Sequence, residues 1–568
     1  AAPLASTDRD RAWLELERGN LHQEVARVPL NRGHNQQAVV AFEHALELAT
    51  RAQLTRVVTV IEMNLAYSLG ETGKFDDAES HLDRATRLDI RREFDVERQV
   101  LAGRIAYRRG NMAVAAQLND QVYPRIEDAD ERVETATLQA RIAMRSGDAR
   151  AAEVWARRGV EEVEKIREQQ SAIELRSWVL STRREPYEVL FALLARAHRH
   201  EEALFVFNQW QGRTLLDAMA RPGSDPADDL KDAAKKVERI RDWLPIVSTA
   251  PIVRGGDARA ARDQLANVDL LALTLADRSV FVIAARDGQI DIRELASHDE
   301  LEVQFQRFIA EPTDASIATL LGEKLVPASL FTKSARPLHV LLDGPLAALP
   351  IAALRRHGAP LIAMRPVVRV LRLPDRPCAP MRAIARAAIL ADATNDLPAA
   401  RREAAEVAAV LANARTFVGK AATRGVLFQT ERDAALHVAL HADLDTGGGT
   451  LRLADYPVSA LEISASKLAP PIVMLSACGS ANASDVELAG SLATAFLASG
   501  SQLVIATLRP VSDAGSRELS TQFYREGGTR DPPRVLARIQ ARLAATSNTD
   551  WPNFVVFGNN VCSPPKGD

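Results

Sequence analysis

Four glycines set a period in the first part of the chain. The stretches GHNQQA, GKFDDA, GNMAVA and GDARAA open at Gly33, Gly73, Gly110 and Gly147. In each, an alanine stands five positions later: Ala38, Ala78, Ala115 and Ala152. The glycines are separated by 40, 37 and 37 residues. Each follows an apolar pattern of helical period and opens another. In NLAYSLGETGKFDDAESHLDRATRL, Leu65, Ala66 and Leu69 precede the turn, and Ala78, Leu82 and Ala85 follow it. A small residue at a fixed place lets paired helices approach closely, and glycine permits the turn between them. Helix-turn-helix units at a fixed period predict a stacked array, because one pair alone cannot bury its apolar face. A fifth unit is expected in HRHEEALFVFNQWQG, with Ala203 in the alanine position after a longer step.

This array resembles the tetratricopeptide repeat, lengthened slightly from its usual period of about 34 residues. The resemblance implies a concave groove that takes a peptide or a protein partner. A plain helical scaffold without a ligand is the alternative. The pattern stops at RPGSDP, a loop-forming cluster, followed by a helix expected over Leu230 to Trp243 and a second loop around Gly255 and Gly256. From Asn267 the texture changes to short β-rich runs: LLALTLA, SVFVIAAR and IDIREL, then PLHVLLD, RAAILAD, ALHVALHA, PIVMLSA and QLVIATL. Helical stretches such as Pro398 to Ala414 separate them. Short apolar strands alternating with helices predict a mainly parallel sheet covered on both faces, with chemistry collected beyond the C-terminal strand ends. The expected organisation is a helical-repeat domain over 1–220, a linker with one helix over 221–264, and an α/β domain over 265–560.

Composition removes several classes of function. The 568 residues are 47% hydrophobic and 26% charged, with a net charge of −3, so no basic field invites nucleic acid or an anionic membrane. No apolar run approaches the ~18 residues of a membrane span. The chain begins Ala-Ala-Pro-Leu without Met, so a processed or trimmed start is expected, with any signal peptide already removed. Cys378, Cys478 and Cys562 form neither a disulfide framework nor a paired metal motif, which favours a reducing compartment and a cytoplasmic location. A Cys378–Cys562 pairing in an exported protein is the alternative.

The chemistry centres on Cys478, where the apolar run PIVMLSA gives way to a small, polar loop. His441 stands in the same place after ALHVAL, 37 residues earlier, with room between them for a crossover. Adjacent parallel strands would then end in His and Cys. An imidazole there can take the thiol proton and later protonate a leaving amine.

ALHVALH, LRLAD, VMLSAC and AGSLATAFLASGSQLVIATL together resemble the CHAT domain of the caspase-like (clan CD, separase-related) cysteine peptidases. LLDGPLAALPIAAL, LPAARREAAEVAAVL and WPNFVVFG resemble further segments of that family, so the resemblance covers about residues 265–560. It implies a Cys478–His441 pair, a structural His437, and an oxyanion hole made by the backbone N–H groups of Cys478 and Ala442. Ala442 departs from the family's glycine, and Arg509 stands where tryptophan is usual. The family's frequent demand for a charged residue before the scissile bond implies a charged pocket. Asp443, Asp445, Asp485 and Glu487 are candidates for accepting a basic side chain. No metal or cofactor is expected. The expected partners are a protein substrate and a protein regulator in the repeat groove, and a bacterial defence or death-like role is implied only by the resemblance.

Other readings of the same residues are a buried structural cysteine, zinc at His437 and His441, a serine nucleophile at Ser476 or Ser480, and a phosphate loop at DTGGGT. The helical zinc motif, G-x-S-x-G and the phosphate-loop lysine are all lacking. At the level of function, the rivals are a degenerate domain serving as a scaffold, a pure repeat adaptor, and an acyltransferase through the same thioester.

Overall fold

The computed structural model describes residues 7–26, 33–169, 179–180, 182–211, 262–263, 265–373, 380–411, 413–445, 448–466, 468–476 and 491–558. They form two compact units: Ala1–Gln169 with Trp178–Leu193, and Gln170–Ser177 with Leu194–Asp568. The helix expected over Leu230 to Trp243 lies outside the described residues.

The first unit is all helical. Its helices include α1 (Asp8–Ala26), α2 (His34–Arg51), α3 (Thr55–Glu71), α4 (Phe75–Leu88), α5 (Asp95–Arg109), α6 (Met112–Val122), α7 (Ala129–Arg145) and α8 (Ala149–Gln169). They pack as successive hairpins, α1 with α2 through α7 with α8. The repeated glycines mark the turns inside these hairpins. Gly73, Gly110 and Gly147 take φ of +82°, +94° and +78°, a left-handed conformation in which any Cβ is strained. Gly33 differs, with φ −58° in the ordinary helical region. The alanines five positions on, Ala38, Ala78, Ala115 and Ala152, are all fully buried. The backbone thus explains three of the four glycines, and close helix approach explains all four alanines. Gly110→Ala should destabilise this unit by about 1–2 kcal/mol, the cost of a left-handed L-residue. Gly33→Ala should cost far less, and thermal unfolding of the two variants side by side checks the contrast.

The second unit is built on one eleven-stranded sheet. Its strands are β1 (Asp269–Ala276), β2 (Ser279–Arg286), β3 (Gln289–Ser297), β4 (Leu338–Leu342), β5 (Val367–Arg369), β6 (Arg386–Ala391), β7 (Ala414–Val418), β8 (Ala434–Ala439), β9 (Ile472–Leu475), β10 (Leu503–Thr507) and β11 (Phe554–Gly558). Their order across the sheet is β3-β2-β1-β4-β5-β11-β10-β9-β8-β6-β7. β1, β4, β5 and β11 run parallel to one another, and so do β6 to β10. The two blocks meet antiparallel, Ile505 of β10 opposite Val556 of β11.

The β-rich runs read from the sequence all form strands of this sheet. Two assignments change. The helix starting at Pro398 stops at Val410, and Ala414–Val418 adds an edge strand. Helix α9 (His200–Trp210), which carries the buried Ala203 and had been counted as a fifth repeat, belongs to the second unit. There His200 Nδ1 lies 3.1 Å from the Ile290 carbonyl on β3. The helical sequence pattern was correct, but periodicity does not say which core a helix joins.

Helices cover both faces of the second parallel block. Leu436 and Val438 of β8 and Val473 and Leu475 of β9 share an apolar core with Ile463 of α13 (Ala460–Ala465) and Leu492 and Phe496 of α14 (Leu492–Ala498). Alternation turns His437 to the opposite face. There it meets α12 (Pro398–Val410) and α15 (Asp513–Arg525), which pack on each other. Two further helices, α10 (His298–Ala310) and α11 (Ala315–Leu325), lie between β3 and β4 in sequence. Among the described residues no helix is long and apolar enough to cross a membrane.

Candidate active site

Within the second block the strand order β7-β6-β8 places consecutive β6 and β7 to one side and β8 to the other. This is a topological switch point, where the loops leaving neighbouring strand ends diverge and open a crevice. His441 sits there, two residues past β8, with its side chain partly exposed. β9 lies parallel to β8, with Val438 opposite Leu475. The Ser476 amide donates to the Val438 carbonyl at 2.8 Å, extending the pairing to the last described residue of that loop. The adjacency expected for the His-bearing and Cys-bearing strands is therefore present. Cys478 itself lies outside the described residues, as do Asp485 and Glu487.

The residues after His441 form a β-hairpin, Ala442–Asp445 against Gly448–Leu451. The Arg452 amide donates to the His441 carbonyl at 3.0 Å. Ala442 faces Leu451 in a pair whose hydrogen bonds are made by the flanking residues, so the Ala442 N–H points away from the hairpin. Asp443 is held across the hairpin by Arg452, whose Nη2 is 2.7 Å from Oδ1. The Arg452 guanidinium keeps the Asp443 carboxyl below its ordinary range. Asp445 ends the same strand. Arg509, in the place of the family's tryptophan, donates to the Ala310 carbonyl at 2.9 Å and to that of Ile309, closing the C-terminus of α10.

Two groups that sequence reasoning had not singled out surround the histidines. Asp396, on the loop between β6 and α12, places Oδ1 at 3.1 Å from His441 Nε2. Glu403, on α12 and only 4% exposed, places Oε1 at 3.2 Å from His437 Nε2. Ser476 Oγ donates to Glu403 Oε2 at 3.0 Å and also meets Ser516 Oγ of α15. Tyr524 of α15 lies with its hydroxyl 3.3 Å from His437 Nδ1. Burial alone would raise Glu403, but the nearby His437 ring and the Ser476 and Ser520 hydroxyls outweigh it and hold the carboxyl below its usual value. His437 is 1% exposed, with Glu403 and Tyr524 beside its ring. Among the described residues neither His437 nor His441 belongs to a group of three potential metal ligands.

A partly exposed imidazole thus stands at the switch point of a parallel block, beside the strand that leads to the cysteine loop. Residues 312–559 match the CHAT domain. The match begins just before α11, so β1 to β3 and α10 precede it within the same sheet, whereas the sequence resemblance started near 265. No curated protein matches the chain. Two solved structures of the Saccharomyces cerevisiae separase–securin complex are similar at 10% identity. One has a TM-score of 0.44 and covers 97% of this chain and 53% of that chain. The other has a TM-score of 0.45 and covers 93% and 50%. This chain spans about half the length of those chains.

Proposed function

We propose that the chain is a cysteine endopeptidase whose nucleophile is Cys478 and whose base is His441, targeted or restrained by the helical repeats of its first unit. The observation that carries this reading is the parallel pairing of β8 and β9, with His441 just past one strand and the cysteine loop leaving the other. His441 takes the Cys478 proton, and the thiolate adds to the scissile carbonyl. The outward Ala442 N–H and that of Cys478 receive the oxyanion. The proton then passes to the leaving amine, and water hydrolyses the acyl-enzyme. No metal or cofactor enters these steps. A basic residue before the scissile bond is the expected preference. Asp445, Asp485 and Glu487 are the candidate acceptors, with Asp443 competing only if it releases Arg452. The repeat groove would take a protein regulator or the substrate.

The test is cleavage of a proteome-derived peptide library by wild type and by Cys478→Ala, with thiol labelling in parallel. Cleavage after Arg or Lys, lost in the variant, is the expected result. An unreactive thiol and no cleavage, even with candidate partners bound to the repeats, would leave the second reading: a catalytically degenerate scaffold. Ala442 in place of glycine and the structural use of Arg509 favour that second reading.

A further inference from the structure

The loop that follows β6 is built to hold one carboxylate in place. Asp392, at φ +46°, donates its amide to the Ala439 carbonyl at the end of β8 (3.0 Å), two residues before His441. Its own Oδ1 accepts from the Leu397 amide at 2.8 Å, and the Asn395 amide donates to its carbonyl at 3.2 Å. Arg401, from α12, pairs with the Asp392 carboxylate and reaches Asn395 Oδ1 at 2.5 Å. Asn395 sits at φ +64°. These contacts close the six residues Asp392 to Leu397 into a compact turn tied to the strand that carries His441. At its outer end Thr394 Oγ1 donates to Asp396, and Asp396 Oδ1 faces His441 Nε2 at 3.1 Å.

We propose that Asp396 is a positioning residue for His441: it accepts from Nε2–H and thereby leaves the Nδ1 lone pair as the base for Cys478. This inference rests on the peptidase reading for its catalytic meaning. A carboxylate accepts only, so the nitrogen it binds carries the hydrogen and the other ring nitrogen carries the lone pair. When Nδ1 takes the Cys478 proton, the imidazolium keeps both N–H groups, and Asp396 stabilises its charge without taking the proton itself. On return, the Nδ1 proton goes to the leaving nitrogen. The Thr394 hydroxyl, then His441, hold the Asp396 carboxyl below its ordinary range. Among the described residues, Asp443 is a further charge that acts on His441, and its carboxylate is paired with Arg452 rather than with the ring.

The experiment follows the His441 ring by nitrogen and proton NMR in full-length, histidine-labelled protein, with His441→Gln for assignment. The same preparations measure the rate at which iodoacetamide alkylates Cys478, with Cys478→Ala as the blank. Wild type should show the Nε2–H tautomer. Asp396→Asn should lose that preference and slow Cys478 alkylation near neutral pH about tenfold or more. Asp396→Glu should restore part of each. Asp443→Asn, which removes a nearby charge but no bond to the ring, should leave the tautomer unchanged. An unaltered tautomer in Asp396→Asn would overturn the proposal. A shifted tautomer with a thiol of ordinary reactivity in every variant would uphold the positioning role and overturn the peptidase reading instead.

Discussion

Asp269→Leu is expected to cost the second unit about 3–5 kcal/mol, and adding Arg365→Met to recover most of the loss. Asp269 opens β1 and is 2% exposed. Its Oδ2 pairs with Arg365, whose side chain is fully buried, and its Oδ1 lies 3.1 Å from Arg336 Nη1. Arg365 also donates to the carbonyls of Leu330 at 3.2 Å and Arg336 at 2.9 Å, tying the segment before β5 to the segment before β4. Carbonyls alone do not compensate a guanidinium taken out of water, so removing the carboxylate leaves an unpaired buried charge. Removing both charges leaves an apolar gap that methionine fills, which is why the double variant should recover. Urea unfolding, with hydrogen exchange of the β1 and β4 amides to localise the effect, checks this. A single variant as stable as wild type would mean that the pair does not form in the protein.

Glu403→Ala should cost a similar amount, about 3–5 kcal/mol at neutral pH. It strips the buried His437 of the carboxylate beside its Nε2 and Ser476 of its acceptor at once. The pH dependence has a definite sign. Glu403 is held below its unfolded value of about 4.3, so it binds fewer protons folded than unfolded in that range. Its stabilisation is complete above that value and is lost as pH falls through the depressed folded value. The gap between wild type and Glu403→Ala should therefore be wide at pH 7 and narrow steadily below about pH 4. Chemical unfolding of both proteins across this range tests it, and a gap that widens on acidification would reverse the assignment.

The legible parts of the sequence were those encoded locally. Repeated glycines and alanines gave hairpin turns and helix contacts, and apolar runs gave strands. His441 could be placed because a strand followed by a polar loop is readable without its neighbours. What escaped depended on partners far along the chain. Asp396 meets a histidine 45 residues away, and Asp269 meets an arginine 96 residues away, and acids in loops are too common to single out. Glu403 was seen only as part of a helix resembling the family's acidic one, since its burial depends on α15. β7 was not read as a strand because ARTFV is short and half-exposed, as an edge strand can be. One signal for Asp396 was present: DATNDLP joins a buried strand to a helix opening on proline, a loop that must lie at a C-terminal strand edge.

The antiparallel seam between β10 and β11 bears on how such a domain can change over time. Because the two parallel blocks point opposite ways, their C-terminal ends open on opposite rims of one sheet. Loops on one rim can be rewritten, shortened or stripped of a nucleophile while the packing that supports the other is untouched. A lineage could thus rewrite the loops at the His441 rim and retain the architecture as a recognition module. Descendants with and without the reaction would then share the same skeleton.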